Sequence, residues 1–204
     1  MKLNKNSKRR KELVAIAARL FCNQGYETTT VRMLADAMGI KSGSLFHHFN
    51  DKQEILYAVI ESGMLHAMEI AKQTLITAQT PRERLYGLAR AHLSTLLEDR
   101  DAHVVAIYEW RSLTQESRDL LVKLRDAYEE NWCTVINECH AAGLITGDQS
   151  LHRHLALGAL NWTVQWYKPE GQLNPDTLAE ELVAMVLREK INKSACPNRR
   201  ADLG

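Results

Sequence analysis

The sequence lacks long apolar runs and paired cysteines. No run of 18 apolar residues occurs among the 204 positions, so no membrane-spanning helix is predicted. The start, MKLNKNSKRRKEL, is charged but has none of the apolar stretch that a signal peptide needs. The four cysteines form no C-x-x-C pair, which indicates neither a disulfide framework nor a zinc ribbon. We expect a cytoplasmic protein without membrane contact or bound metal.

Motifs of catalysis are also missing. There is no G-x-S-x-G, no H-E-x-x-H and no phosphate-binding glycine loop. Cys133, Cys139 and His140 are near one another in sequence, but six or seven residues of helix span about two turns, so they do not by themselves form a nucleophile and base or a metal site. His152 and His154 project to different faces of a helix. We expect neither enzymatic activity nor a cofactor.

Acidic residues are scarce in the first quarter of the chain. Residues 1–52 contain ten Lys or Arg and four Asp or Glu, a net charge of +6. Residues 53–204 contain 16 basic and 21 acidic residues, a net charge of −5. This division suggests a polyanion partner for the N-terminal part alone. A charged helix face exposed to water is the alternative explanation.

Runs of β-branched residues bounded by turns are scarce as well, and apolar residues recur at intervals of three and four instead. The pattern predicts an all-α fold of about nine helices. The first helix is expected from about residue 8 to a C-terminal cap at Gly25. Later helices are expected to start at capping side chains: a threonine at 28–30, Asp51, Thr80, Asp101 and Asn174.

Two short helices are predicted inside the basic region, over 31–38 and 41–48, with Gly39 and Ile40 between them. This is helix-turn-helix spacing, in which both helices pack on the first helix of the chain. The outer face of the second is then free to enter a major groove about 12 Å wide. Short helix pairs with a glycine turn also occur in helical bundles, so the spacing alone leaves both interpretations open.

The string TTTVRMLADAMGIKSGSLFHHFNDKQEIL, residues 28–56, closely resembles the DNA-binding domain of the TetR family of transcriptional repressors. RRKELVAIAARLFCNQGYETTT, which leads into it, matches too, so the resemblance covers residues 8–60. It implies a homodimer of all-α subunits, each with an N-terminal helix-turn-helix and a C-terminal ligand-binding and dimerisation domain. We therefore expect a DNA-binding domain at 1–52, a ligand-binding and dimerisation domain at 53–193, and a flexible tail at 194–204.

The resemblance implies which residues bind the DNA. Gly43 lets the backbone approach DNA closely, Ser44 meets bases or phosphates, and Lys52 binds phosphate. Hydroxyls and free backbone N–H groups near the start of the second helix also suit an anion. The full set of expected DNA contacts is Thr28, Thr30, Arg32, Lys41, Ser42, Gly43, Ser44, Phe46, His47, His48 and Lys52.

The sequence departs from the family pattern at three places. Phe46 stands where the family usually has tyrosine, so apolar contact with a thymine methyl replaces a phenol–phosphate bond. The usual serine-then-lysine order is reversed as Lys41 and Ser42, and His47 replaces a second common tyrosine. Protonation below a pKa of about 6.5 would strengthen phosphate binding by His47 and His48. The alternative for His48 is a neutral residue hydrogen-bonded inside the domain.

The segment GALNWTVQWYKPEGQL, residues 158–173, is similar to a sub-group of TetR-like regulators that control catabolism of fatty acids, sterols or aromatic acids and respond to acyl-coenzyme A thioesters. This resemblance implies a long apolar pocket with cationic residues at its mouth to meet the coenzyme A phosphates. The candidate ligand-binding residues are His92, Tyr108, Trp110, Arg111, Tyr128, Trp132, Arg153, Trp162, Trp166 and Lys168.

Two alternatives stay open for the C-terminal part. The helices predicted over 149–167 and from Asn174 onward are expected to form the homodimer as a four-helix bundle. Trp162 and Trp166 are expected to be core or interface residues, and the alternative is that they line the ligand pocket. The effector is expected to be an acyl-coenzyme A thioester, the alternative being a drug-responsive repressor of an efflux system. Buried acids would favour cationic drugs, and Glu109 and Glu138 are the candidates for that role.

Overall fold

A computed structural model describes residues 2–189, with side chains from residue 8 onward. This part of the chain is built from helices, which confirms the predicted all-α fold. The expected tail at 194–204 lies outside the described residues. The helices are α1 (Lys2–Gln24), α2 (Val31–Ala37), α3 (Ser42–Leu45), α4 (Lys52–Thr77), α5 (Pro81–Glu98), α6 (Arg100–Tyr108), α7 (Gln115–Ala141), α8 (Gln149–Trp166) and α9 (Pro175–Leu187), with a 3₁₀ helix at Trp110–Ser112.

Capping side chains begin several of these helices where the sequence predicts them. Thr30 caps α2 by accepting from the backbone N–H of Met33 at 3.2 Å. Asp51 accepts from the N–H of Glu54 at 2.7 Å before α4. Thr80 and Glu83 form reciprocal hydrogen bonds at the start of α5, in which each side chain accepts from the backbone N–H of the other residue. These starts are confirmed.

Other predicted bounds are wrong. α1 begins at Lys2 rather than near residue 8, because no proline or glycine interrupts the residues before the apolar stripe. Asp101 lies in the first turn of α6 instead of capping it, and the residue that precedes that helix is Asp99. The third helix is one short turn, Ser42–Leu45, where the pattern predicts a helix to 48.

The chain forms two compact units, each made of two separate stretches of sequence. The first unit contains residues up to His66 together with Asp99–Asp126, and the second contains Ala67–Glu98 together with the residues from Ala127 onward. α4 and α7 each contribute residues to both units. The expected boundary after residue 52 therefore does not coincide with a boundary between compact units.

Each unit has its own apolar core. In the first unit Leu13 and Phe21 of α1, Leu45 of α3 and Leu56 of α4 are buried together, and α1 packs against α6. This packing holds the short helices α2 and α3 on α1. In the second unit α5 packs against α8 and α9, and Trp132 of α7 lies at the centre with no exposed surface.

Candidate DNA-binding interface and effector site

Two buried side chains anchor the helix-turn-helix in the core of the first unit. Leu45 is fully buried in the core of the first unit, and Phe49, just after α3, is 2% exposed. Gly39 turns the chain between α2 and α3 with a φ of +65°, a conformation that glycine adopts without strain. Leu45 of α3 and Phe49 after it are therefore the residues that fix this helix on the core of the first unit.

Most of the residues that the sequence predicts to meet DNA lie on α3 or flank it, at 41 and 46–48. Lys41 and His47 are exposed and Phe46 is 50% exposed, whereas His48 is half-buried. A Cβ added to Gly43 would meet nothing within 4 Å, so packing inside the unit does not require a glycine there. The arrangement leaves room at Gly43 for the close approach of DNA. Ser42 and Ser44 lie half-buried on the same short helix.

Lys52 is occupied inside the first unit. Its Nζ donates to the carbonyl of Tyr26 at 2.9 Å and to that of Thr29 at 3.2 Å, and it stands 4.0 Å above the centre of the Tyr26 ring. These contacts tie the turn between α1 and α2 to the start of α4. Phosphate binding by Lys52 stays a prediction, and it would compete with these bonds.

The remaining predicted DNA contacts surround the start and outer face of α2. Thr28 is exposed, and its hydroxyl donates to the carbonyl of Gln24. Arg32 lies 3.7 Å from Asp36, and both side chains are largely exposed, so this pair is weak and leaves Arg32 accessible to a phosphate. Thr30 is exposed while it caps the helix. All of the predicted DNA-binding residues thus belong to the first unit.

In the second unit the structure brings His92, Tyr128 and Trp132 together. His92 is 6% exposed, with Nδ1 2.8 Å from the Tyr128 hydroxyl and Nε2 3.1 Å from Asn161 Oδ1. Because Asn161 Oδ1 can only accept, Nε2 carries the proton and Tyr128 donates to Nδ1. The Trp132 ring stands edge-on to His92 with centroids 6.3 Å apart, and burial raises the pKa of Tyr128 to about 12.

Arg153 occupies a second polar site of that unit. Its Nη1 lies 3.1 Å from Glu129 Oε2 and donates to Cys133 Sγ at 3.1 Å. The guanidinium borders a cleft of about 210 Å³, less than the roughly 300–1,000 Å³ of ordinary ligand sites. The other residues along the cleft are Cys133, Ile136, Asn137, Gln149 and Ser150.

Six of the ten candidate ligand residues lie elsewhere. Tyr108 and Arg111 are exposed, and Trp110 packs against the core of the first unit. Trp162 and Trp166 are exposed on α8, and Lys168 is exposed beyond its end. The ten candidates are therefore divided between the two compact units.

An apolar stripe of the second unit is open to solvent. Leu151, Leu155, Trp162 and Trp166 follow one another along α8, and Met185 of α9 is also exposed, with exposed fractions of 41–64%. Their spacing of four, seven and four residues keeps the α8 side chains on one face of the helix. Contiguous exposed apolar surface of this kind marks an interaction site.

Sequence reasoning missed Asn161 and Glu129, the partners of His92 and Arg153. Asn161 lies within residues 158–173, but its pairing with a histidine 69 positions earlier has no local signal. Within residues 2–189, the structure contains no cluster of three or more His, Cys, Asp or Glu side chains arranged to hold a metal ion. In the same range no helix is long and apolar enough to cross a membrane.

Comparison with known proteins connects both parts of the chain to one family. Residues 13–59 match the sequence model described as bacterial regulatory proteins, tetR family. Residues 78–189 match the one described as Tetracyclin repressor-like, C-terminal domain. The HTH-type transcriptional repressor KstR2 of Mycolicibacterium smegmatis is 34% identical over 184 residues, which cover 88% of this chain and 89% of that protein.

Solved structures share the fold of this chain. The structure of the superantigen PfiT is 44% identical with a TM-score of 0.78, and the match covers 89% of this chain and 97% of that one. The structure of AibR in complex with isovaleryl coenzyme A and operator DNA is 28% identical with a TM-score of 0.77, covering 87% of this chain and 97% of that one. The chain belongs to the TetR family of DNA-binding transcriptional repressors.

Proposed function

We propose that this protein binds a palindromic operator as a homodimer and is released from it by an acyl-coenzyme A thioester. α3 reads the operator, α8 and α9 form the dimer, and the effector binds the C-terminal part of the chain. The protein acts by binding alone, without catalysis and without a cofactor. This function is exercised in the cytoplasm, where the operator DNA lies.

The observation that carries the effector class is the likeness to AibR, whose structure holds isovaleryl coenzyme A and operator DNA. The likeness extends over 87% of this chain and so includes the part that follows the helix-turn-helix. The resemblance of residues 158–173 to acyl-coenzyme A-responsive regulators supports the same class. The hydrogen-bonded group of buried His92, half-buried Tyr128 and exposed Asn161 adds polar atoms suited to a carbonyl or hydroxyl of an acyl chain.

The exposed stripe on α8 supports the homodimer. A two-fold interface uses the same patch on both subunits, and two amphipathic helices from each subunit form a four-helix bundle. Trp162 is 64% exposed and Trp166 is 41% exposed, and tryptophan is among the residues that contribute most when buried in an interface. A second copy of the chain is therefore the partner that we assign to this face.

Release follows from a shift between two conformations. An effector that binds the conformation whose recognition helices no longer match major grooves about 34 Å apart weakens operator binding. The effect on operator binding can be no larger than the ratio of the effector's affinities for the two conformations. α4 is the expected lever because it contributes residues to both compact units.

The acids that would favour a cationic drug already have partners. Glu138 forms an ion pair with Arg84 at 2.8 Å. The carboxylate of Glu109 accepts from the backbone N–H of Tyr26 and from the Ser112 hydroxyl, both at 2.9 Å. A cation at Glu109 would have to displace these partners. Glu138 Oε2 is buried without a hydrogen-bond partner, but the charge of this carboxylate is already balanced by Arg84. For these reasons we propose the thioester class.

A thermal-melting screen tests the effector class. The full-length protein is melted with isovaleryl and longer acyl-coenzyme A thioesters, with the matching free acids and with cationic drugs. A ligand present at 100 times its Kd adds about 2.7 kcal/mol of stability, which is a readily measured increase in Tm. We expect stabilisation by thioesters only. Stabilisation by drugs alone would refute the thioester class and leave a TetR-family repressor with another effector.

A further inference from the structure

The turn between α1 and α2, residues 25–30, is held by a side chain from far along the sequence. The backbone N–H of Tyr26 donates to Glu109 Oε1 at 2.9 Å. The other oxygen of the same carboxylate, Oε2, accepts from the Ser112 hydroxyl at 2.9 Å. One carboxylate therefore joins this turn to the 3₁₀ helix at Trp110–Ser112.

Gln53, in the first turn of α4, makes a second connection to the same segment. Its Nε2 donates to the carbonyl of Ser112 at 2.6 Å, and its Oε1 accepts from the backbone N–H of Thr114 at 3.2 Å. Both ends of the amide are satisfied by backbone groups 59 and 61 positions later in the chain. The start of α4 is thus fastened to residues 112–114.

Tyr26 links the two connections. On one side its N–H is bound by Glu109, and on the other its carbonyl accepts from Lys52 Nζ at 2.9 Å. Its ring lies under the Lys52 ammonium and edge-on to Phe21, with ring centroids 5.3 Å apart. Tyr26, Lys52, Gln53, Glu109 and Ser112 together form what we term the turn clamp.

The position of the turn clamp matters because the turn leads directly into the helix-turn-helix. Thr30, the last residue of the turn, caps α2, so a displaced turn moves the start of that helix. Glu109 and Ser112 belong by sequence to the C-terminal family region, 78–189, but Asp99–Asp126 packs in the first unit with the DNA-binding helices. The C-terminal region of the sequence therefore reaches the DNA-binding helices through the turn clamp.

We propose that Glu109 and Gln53 are positioning residues for operator binding. Through the turn clamp they hold the start of α2 where α2 and α3 fit the DNA, and displacement of residues 109–114 by the effector loosens that hold. Neither residue touches DNA in this proposal. Its second half, the response to effector, rests on the proposed function, whereas the first half rests only on DNA binding.

Variants of the full-length protein test the positioning role on a DNA duplex that the wild-type protein selects from a random-sequence library. Glu109→Ala removes both carboxylate bonds and is expected to weaken binding at least fivefold. Glu109→Gln is expected to stay within twofold of wild type, because its amide oxygen still accepts from the Tyr26 N–H. Glu130→Ala, which removes an exposed glutamate of α7, controls for the lost charge and should bind like wild type.

Hydrogen exchange separates positioning from general destabilisation. In Glu109→Ala the amides of residues 25–30 should exchange faster, while those of α8 keep the wild-type rate. The proposal is overturned if Glu109→Ala binds the duplex within twofold of wild type, or if Glu109→Gln binds as weakly as Glu109→Ala. Should Glu109→Ala fail to fold, Gln53→Ala replaces it. It is expected to weaken duplex binding at least fivefold and to speed exchange of the Thr114 amide, and binding within twofold of wild type overturns the proposal.

The response to effector is measured on the same duplex with isovaleryl coenzyme A and the thioesters of the melting screen. The ratio of duplex affinities without and with thioester should fall toward one in Glu109→Ala. An unchanged ratio overturns the second half of the proposal. If no thioester releases the wild-type protein from the duplex, both the proposed effector and the second half of this proposal are refuted. The positioning role is still decided by the comparison of duplex affinities among the variants.

Discussion

At the scale of single residues, His103 should make the protein less stable in acid. Burial lowers the pKa of His103, whose Nδ1–H donates to the carbonyl of Asp99 at 3.3 Å. The unfolded chain then binds a proton at a pH where the folded chain does not. Stability therefore falls as the pH drops from about 6.5 toward the lowered value.

Melting at pH 7.5 and 5.5 checks this prediction. The decrease in Tm between the two should be smaller in His103→Gln than in wild type, because the glutamine does not titrate. His66, which lies 2.6 Å from the Asp99 carboxylate, is present in both proteins, so its contribution cancels in the comparison. His140→Gln, on an exposed position of α7, should keep the full wild-type decrease. An equal decrease in all three proteins would contradict the assignment to His103.

Residue roles were predictable where they depend on neighbours in sequence. A cap at one of three threonines follows from a local pattern, and the structure confirms it at Thr30. Lys52 is the opposite case. Its Nζ binds carbonyls 26 and 23 positions earlier, a pairing that only the folded chain creates. Pairs such as Tyr26 with Glu109 were unpredictable for the same reason.

At the scale of helices, a charge on the exposed face of α8 should abolish the dimer that we propose. Leu155 is 61% exposed, and in Leu155→Glu a carboxylate would have to be buried against the second subunit without a partner. Light scattering coupled to size exclusion should report a monomer with unchanged helical content. Ile76→Glu, at a 73% exposed position of α4, is the matched control and should leave the dimer intact. A dimer in Leu155→Glu would remove this face from the interface.

Helix starts with complete capping signals were predicted best. The reciprocal bonds between Thr80 and Glu83 match the pattern of their sequence. The start of α6 was misplaced because Asp99 and Asp101 are both plausible caps, and sequence alone does not distinguish them. Packing also decided the length of α3, since the chain after Leu45 turns so that Phe49 enters the core.

At the scale of the whole molecule, the division of charge and the division into compact units differ. The basic region ends near residue 52, but the first unit extends to His66 and includes Asp99–Asp126. Composition located the basic region because charged residues can be counted along the sequence. The extent of the first unit could not be predicted in this way, because helix packing depends on contacts between residues far apart in the sequence. The family resemblance at 28–56 indicated the fold and the DNA-binding role without indicating that the later segment joins this unit.

The same charge division predicts how DNA binding responds to salt. Each Lys or Arg that neutralises a phosphate releases counterions, so log K falls linearly with log salt concentration by about 0.9 per phosphate contact. Lys41 is exposed at the start of α3, and Lys41→Gln should reduce the steepness of this line by about one. Lys72→Gln, at an exposed position of α4 in the acidic part of the chain, should leave the slope at its wild-type value.

Fluorescence anisotropy measures the affinity for the selected duplex at salt concentrations between 50 and 200 mM. Over this range about six to ten phosphate contacts lower the affinity by about 10³–10⁵, so the slope is readily determined. Equal slopes for the two variants would exclude Lys41 from phosphate binding, and a slope near zero for the wild-type protein would mean that its net charge of +6 over residues 1–52 faces away from the DNA.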